Sequence, residues 1–338
     1  MIHFREIAAH YGLGMLLSAP SPVLGGLMHT TYRLDTPEGS FAAKILNPAV
    51  MQRPEALSNM IRSEKIARAM AEAVPAVAAL ESEGSPLSRI GEDYVMLYPW
   101  LSCRPVLPPK LSARHTEIMG TTLARMHDAG AALLASGAVP PKADEVVHTE
   151  HRWEDILAEA EAAAPGSPWL PPLRDALPLL DELEHRARDA APRLPLSVLS
   201  HRDLDPKNVL WEGALPRIID WESAGEINPA VELLEVLLYW SDDGAGGLNE
   251  AHFRSMLAAY RTLRPAGNED WDAVFDASFR DPLDWLAYNV RRASGLETAE
   301  NGDAGHERMV GASEVAGTLR SLSARIPQLK TVREWMGV

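Results

Sequence analysis

Residues 200–211 read SHRDLDPKNVLW. From His201 to Asn208 this stretch gathers a histidine, an arginine, two aspartates, a lysine and an asparagine, and then runs directly into Val-Leu-Trp. A polar turn that needed only water has no reason to end in a strand-like apolar run. The segment before it, PLSVLS, is apolar as well, so the polar residues are held between two strand-like pieces. A further strand, RIID (Arg217–Asp220), ends in an aspartate twelve residues beyond Asn208. Together these pieces predict a hairpin that returns Asp220 to the side of the loop.

His201-Arg202-Asp203-Leu204, with Asn208 four positions later, matches the H-R-D-L-x-x-x-N type of catalytic loop. Phosphoryl transfer explains the spacing. The reaction needs one carboxylate to orient and deprotonate the acceptor hydroxyl, and a separate pair of oxygen ligands to hold magnesium on the nucleotide phosphates. Asp203 suits the first task, and Asn208 with Asp220 the second.

HRDLDPKNVLW followed by IIDWESAG resembles the paired signature of the aminoglycoside phosphotransferase and choline kinase-like family, small-molecule relatives of the protein kinases. The resemblance runs from about Val23 to Trp240 and is specific in these two segments. It implies an α+β, two-lobe, protein-kinase-like fold, with a strand-rich N-terminal lobe over residues 1–101 and a mainly helical C-terminal lobe over 102–338. It also implies that Asp203 is the catalytic base, that Asn208 and Asp220 bind Mg2+, and that His201 positions the loop. The nucleotide would be ATP or GTP.

The N-terminal region fits that expectation. Val23 to Leu46 reads as a hairpin turning at Pro37–Gly39, and a helix is predicted over Glu55–Val74. FAAKIL sets Lys44 in mid-strand to contact phosphates, and MIRSEKIA sets Glu64 on the next helix to hold it. Gly25 and Gly26 would form the phosphate-covering turn, near His29. Asp93–Leu101 is an apolar strand, and by resemblance the backbone around Tyr98, Trp100 and Leu101 is a hinge that contacts the purine.

Two features depart from the pattern. Arg202 stands where many small-molecule members have glycine, which makes the loop read more like a protein kinase. Against that, no A-P-E follows Asp220, and Asn228 comes only eight positions after Asp220, which disfavours a protein substrate. Asn228 and Pro229 signal a helix start. Further helices are expected over 112–136, 153–163, 172–190, 252–263, 282–293 and 306–324, with a Pro-rich turn in AAPGSPWLPPL (163–173).

Between Ile218 and Phe253 lie eight carboxylates and no lysine or arginine. Glu232, Glu235, Tyr239 and Asp242 recur at helical spacing and share a face, with Trp240 as a cation-π candidate, so the acceptor reads as cationic or polyhydroxylated. Glu222 either assists the metal or caps its turn. His127 reads as packing or a helix cap, and Trp285, Asn289 and Arg292 as a core-facing stripe with an acceptor-lining alternative.

Composition narrows the partners. The formal charge of −15, from 32 basic and 47 acidic residues, argues against nucleic acid and anionic lipid. No window of about 18 apolar residues predicts a membrane span. The one cysteine, Cys103, fits a reducing cytoplasm and a small buried hydrophobe. The oligomeric state is not legible. Two rival readings stay open: a nucleotide-binding pseudokinase or regulator on the same fold, and a metal-dependent hydrolase using His201, Asp203 and Asp205.

Overall fold

A computed structural model describes residues 2–23, 29–140, 150–265, 269–297 and 304–338. The chain divides into two compact units. The first contains the chain as far as Val106, the stretch from Leu133 at the end of a long helix, and Leu199–Gly225.

Its main sheet is antiparallel, with strands β1 (Ser21–Val23), β2 (Thr30–Thr36), β3 (Gly39–Ile45), β4 (Ser88–Ile90) and β5 (Asp93–Pro99) in the order β1-β2-β3-β5-β4. β2 and β3 form the predicted hairpin, with Thr36 opposite Gly39. Helices α1 (Phe4–His10), α2 (Pro48–Met51) and α3 (Ala56–Met70) belong to the same unit. The alternation of β3 decides where its lysine points. Ala43 and Ile45 are buried with Ile7 and Ala8 of α1 and with Leu34, Val95 and Leu97 of the neighbouring strands. Lys44, between them, faces the other way. Its cross-strand partner Met96 packs with Leu46, Leu87 and Met60 of α3. Each large apolar side chain so buried contributes about 1.5–3 kcal/mol, and these two clusters fix the sheet between α1 and α3.

The strand β7 (Val198–Ser200) leads into the polar loop, and β10 (Gly225–Ile227) leads away from it. Between them β8 (Val209–Glu212) and β9 (Leu215–Ile218) form the predicted hairpin, with Val209 opposite Ile218, and β6 (Arg104–Pro105) pairs with β8. β9 stops at Ile218, so Asp220 lies two residues beyond the strand rather than at its end. The cause is local: the Ile219 N–H turns to donate to Asn208 O at 3.0 Å. The division of the chain also differs from the expected 1–101 and 102–338. The hairpin groups with the sheet because Val77 N–H donates to Ile218 O at 2.8 Å and Ile218 N–H to Pro75 O at 2.9 Å, which ties it to the segment that follows α3.

The second unit is helical. It takes in α4 (Ala113–Ser136) as far as Ala132, α5 (Trp153–Ala163), α6 (Leu170–Ala190), α7 (Pro229–Ser241), α8 (Glu250–Leu263), α9 (Trp271–Ala277), α10 (Arg280–Ser294) and α11 (Ala304–Met336). Asn228 caps α7 as its sequence signals, its Oδ1 accepting from Ala230 N at 2.9 Å and Val231 N at 3.4 Å. α6 starts at Leu170, inside the stretch expected as a turn, because Pro171 and Pro172 sit in its first turn, where a missing N–H costs nothing. α11 runs past Ala324 to Met336 with Pro327 inside it. At Gly120, α4 approaches α8 so closely that a Cβ there would lie 2.2 Å from Met256 O. No helix among the described residues is long and apolar enough to cross a membrane.

Candidate active site

The polar loop is built around His201. Its ring is fully buried, edge-on to Trp221 with centroids 4.7 Å apart. Nδ1 accepts from the Asp203 backbone N–H at 3.2 Å, so the ring proton sits on Nε2 and is donated to Ile219 O at 3.0 Å. With both nitrogens engaged, His201 positions the loop. That occupancy also removes it as a metal ligand and corrects the hydrolase reading, which required it.

Arg202 adopts a left-handed backbone, φ 65°. A glycine takes this conformation without the Cβ clash, which accounts for the glycine found here in many members of the resembling family. Asp203 follows, and Asn208 holds it: the Asn208 side-chain amide donates to both Asp203 O and Asp203 Oδ2, each at 2.9 Å. Burial raises the Asp203 pKa, opposed by the positive charge of Lys207. Lys207 Nζ lies 3.6 Å from Asp203 Oδ1. Asp205 accepts from Lys207 N at 2.8 Å and caps the single 3-10 turn over Pro206–Asn208. Asp205 and Lys207, to which the kinase reading gave no role, therefore shape the loop and its charge.

With its amide protons spent on Asp203, Asn208 keeps Oδ1 as an oxygen donor. The Ile219 contact sets the chain bearing Asp220 beside it. Asp220 is also left-handed, φ 62°, a conformation that aspartate tolerates better than most side chains. Its side chain is 44% exposed. An amide oxygen and an accessible carboxylate are the hard donors that magnesium prefers, so the residues present fit such an ion.

Lys44 is held by this end of the hairpin. Nζ lies 3.0 Å from Asp220 Oδ1 and pairs with Glu222 Oε1. Burial works against the ammonium charge, but Asp220 and Glu222 outweigh it and hold the Lys44 pKa above the ordinary lysine value. Burial likewise opposes the charge on Glu222, yet His29 and Lys44 bring its pKa well below the usual glutamate value. His29 Nε2 is 3.3 Å from Glu222 Oε2, while its Nδ1 accepts from Asn47 N at 2.9 Å. Glu222 thus belongs to the charged cluster, which the sequence left undecided. Glu64 does not grip Lys44 as expected. Its carboxylate accepts from Tyr98 OH at 2.7 Å and from Ala79 N at 2.6 Å, and burial raises its pKa.

The Tyr98 hydroxyl is committed to Glu64, and the Trp100 N–H donates to Ser40 O at 3.0 Å, so it is not available to a purine. The Trp100 ring carries the Arg33 guanidinium 4.9 Å from its centroid. Leu101, beyond the strand, makes no backbone hydrogen bond among the described residues. Gly25 and Gly26 lie outside the described residues.

In the helical unit the acidic face of α7 is not a solvent-facing surface. Glu232 and Glu235 are buried, Trp240 has no exposed surface and offers no ring face to a ligand cation, and Asp242 lies just past the helix end. Tyr239, at 37%, and Asp242 are the exposed members of the stripe. α7 is apolar around most of its circumference, which is the pattern of an enclosed helix, and its carboxylates go inside with it. Glu232 Oε2 is 2.7 Å from His127 Nε2, whose Nδ1 is 2.8 Å from Tyr260 OH. His127 therefore joins α4, α7 and α8 rather than capping a helix. Asn289 and Arg292 are buried in α10, Arg292 bonded to Glu307 and the Trp285 indole to Glu314, in line with a core-facing stripe. Cys103 is half-buried.

An antiparallel sheet whose lysine pairs with the aspartate returned beside an H-R-D loop defines a kinase-like small-molecule phosphotransferase. Residues 20–266 match the model of the phosphotransferase enzyme family called APH, and the chain belongs to that family. No curated protein sequence matches it significantly. Among solved structures it is similar to a spectinomycin phosphotransferase in complex with ADP and spectinomycin, at 13% identity over 95% of this chain and 97% of the other, TM-score 0.67. It is also similar to an amicoumacin kinase bound to AMP-PNP and Ca2+, at 13% identity over 93% of each chain, TM-score 0.60. A choline/ethanolamine kinase family protein from Mesorhizobium loti gives 16% identity over 94% and 96%, TM-score 0.52. At these identities the likeness is one of fold.

Proposed function

We propose that the protein transfers the γ-phosphate of ATP to a hydroxyl group of a small molecule, with Asp203 as the base, Lys44 on the nucleotide phosphates, and Asn208 and Asp220 as the magnesium ligands. One observation carries the reading: Asn208 spends its amide protons on Asp203, which leaves its oxygen for a cation beside Asp220. The same residue fixes the base and contributes to the ion site, so both are positioned together. The nucleotides and the divalent ion bound in the similar structures support it.

Magnesium, when bound, offsets the negative charge of the β- and γ-phosphates. The chain supplies the rest. Asp203, its pKa raised by burial, accepts the proton of the acceptor hydroxyl. Asn208 aligns that carboxylate, and His201 holds the backbone on which it stands. Lys44, freed from Asp220 and Glu222 as phosphate oxygens take their place, brings its charge to the transferred group.

The test is an ADP-release screen with magnesium-ATP over aminoglycosides, amino alcohols, hydroxy amino acids, sugars and nucleosides, with Asp203→Asn as the blank. The expected result is turnover of at least one acceptor that falls by about 10²-fold or more in the variant while ATP binding is retained. Retained turnover in Asp203→Asn would overturn the assignment.

A further inference from the structure

Two carboxylates compete for one lysine, and a third is kept out of the contest. Lys44 Nζ lies 3.0 Å from Asp220 Oδ1, and the same ammonium pairs with Glu222 Oε1. Asp220 precedes the single 3-10 turn over Trp221–Ser223 that carries Glu222, so one short piece of chain presents both acids to the lysine. Glu64 of α3, expected from the sequence to grip Lys44, is 2% exposed and has both oxygens engaged. Oε1 accepts from Tyr98 OH at 2.7 Å and Oε2 from Ala79 N at 2.6 Å. Drawing Lys44 over to Glu64 would compete with one of those interior bonds, so the ammonium stays with Asp220 and Glu222.

Asp220 is also the carboxylate assigned to the metal ion, with Asn208 beside it. The two roles collide. An ion arriving alone meets an ammonium already bonded to the carboxylate, and the two cations repel across a few ångströms. Pushing the ammonium aside would leave Lys44, only 16% exposed, without the acids that offset its charge. A metal–nucleotide complex changes the exchange, because it brings phosphate oxygens together with the ion. Lys44 then passes from carboxylate to phosphate while Asp220 turns to the ion, and each charge keeps a partner.

We propose that Lys44 selects the form in which the divalent ion is accepted: bonded to Asp220 and Glu222 it excludes the bare ion, and it yields Asp220 only to the ion's complex with a nucleotide. This specificity role rests on the kinase reading above, which assigns Asp220 to the ion.

The experiment uses Mn2+ as the probe, with free Mn2+ read by electron paramagnetic resonance at fixed ionic strength and no nucleotide in solution. Wild type is compared with Lys44→Met, Asp220→Asn, the double variant, and Lys65→Met, which removes an exposed positive charge from α3. The expected result is that Lys44→Met binds bare Mn2+ at least about tenfold more tightly than wild type. The double variant loses that gain, and Lys65→Met does not show it. Asp220→Asn alone leaves bare Mn2+ affinity within about twofold of wild type, since the carboxylate it removes is already taken. No gain in Lys44→Met, a gain that survives in the double variant, an equal gain in Lys65→Met, or weaker binding in Asp220→Asn each overturns the proposal. Tm reports the folding of every variant, and if Lys44→Met does not fold, the comparison of wild type with Asp220→Asn decides alone. ATP binding by wild type in the presence of Mn2+ is the separate readout of the kinase reading. Wild type that binds ATP with the metal but fails the comparisons above overturns this selection and leaves the kinase reading standing. Wild type that binds no ATP overturns the kinase reading and this inference with it.

Discussion

Lys44 Nζ donates to Asp220 Oδ1 at 3.0 Å, joining a sheet residue to one 176 positions later in the chain. The lysine side chain is 16% exposed and has Glu222 as a second carboxylate partner. Replacing it with methionine leaves Glu222 in a largely enclosed site with His29 alone. Lys44→Met is expected to lower stability by about 2 kcal/mol and to weaken ATP binding by at least about tenfold, read by urea denaturation and by nucleotide titration. A variant with unchanged ATP affinity would separate Lys44 from the phosphates.

The same cluster predicts a pH dependence. The Glu222 pKa in the folded protein lies below its unfolded value. The stability this gives is fully present above the ordinary glutamate value and is lost as the pH falls through the lowered one. Between pH 5 and pH 2, Tm should therefore fall more steeply in wild type than in Glu222→Gln. Parallel curves would show that Glu222 has no preferential charge in the fold.

Asp203 has the opposite sign. Its folded-state pKa is raised, so the acid limb of kcat/KM should lie above the ordinary aspartate range. Lys207 holds that value down through its charge, 3.6 Å away. Lys207→Met is expected to move the acid limb to higher pH with little change in the plateau. A limb that does not move would mean that another group sets it.

The buried His127 links Glu232 and Tyr260 at 2.7 and 2.8 Å, with no exposed surface on the histidine. His127→Ala strands both partners in the interior, an expected loss of about 3–5 kcal/mol. His127→Gln, which keeps one donor and one acceptor, should lose less. Equal losses in the two variants would reduce the role of the histidine to its volume.

Gly120 and Gly317 form a matched pair, since both lie in helices. A Cβ at Gly120 meets Met256 O at 2.2 Å, whereas one at Gly317 meets nothing within 4 Å. Gly120→Ala should cost about 1–3 kcal/mol through overpacking, and Gly317→Ala should gain about 0.5–1 kcal/mol from helix propensity. Thermal melts of both decide it, and a stable Gly120→Ala would mean that α4 and α8 can move apart.

What the sequence disclosed depended on how far apart the interacting residues lie. The hairpin of β2 and β3 and the helix ends at Asn228 and Ala163 follow from local pattern, because turn residues, alternation and caps act over a few positions. The loop from His201 to Asn208 was legible for the same reason: its hydrogen bonds close within that stretch and with Ile219. Glu64 was placed on the right helix but with the wrong partner, since Ala79 and Tyr98 reach it from 15 and 34 residues away. The acidic stripe of α7 was misread because periodicity shows which residues share a face and not what covers that face. α1 and α9, at seven residues each, are too short for a helical period to declare itself.

The left-handed backbone at Asp220 filters which replacements can occupy that position at all. A long or branched side chain there costs about 1–2 kcal/mol before any question of metal binding arises. Asparagine and glycine escape this cost, so they are the replacements whose kinetics report on the carboxylate alone. An alanine or glutamate scan through residue 220 measures backbone strain and chemistry together. The order in which polar residues could have replaced one another here is therefore set first by the shape of the main chain.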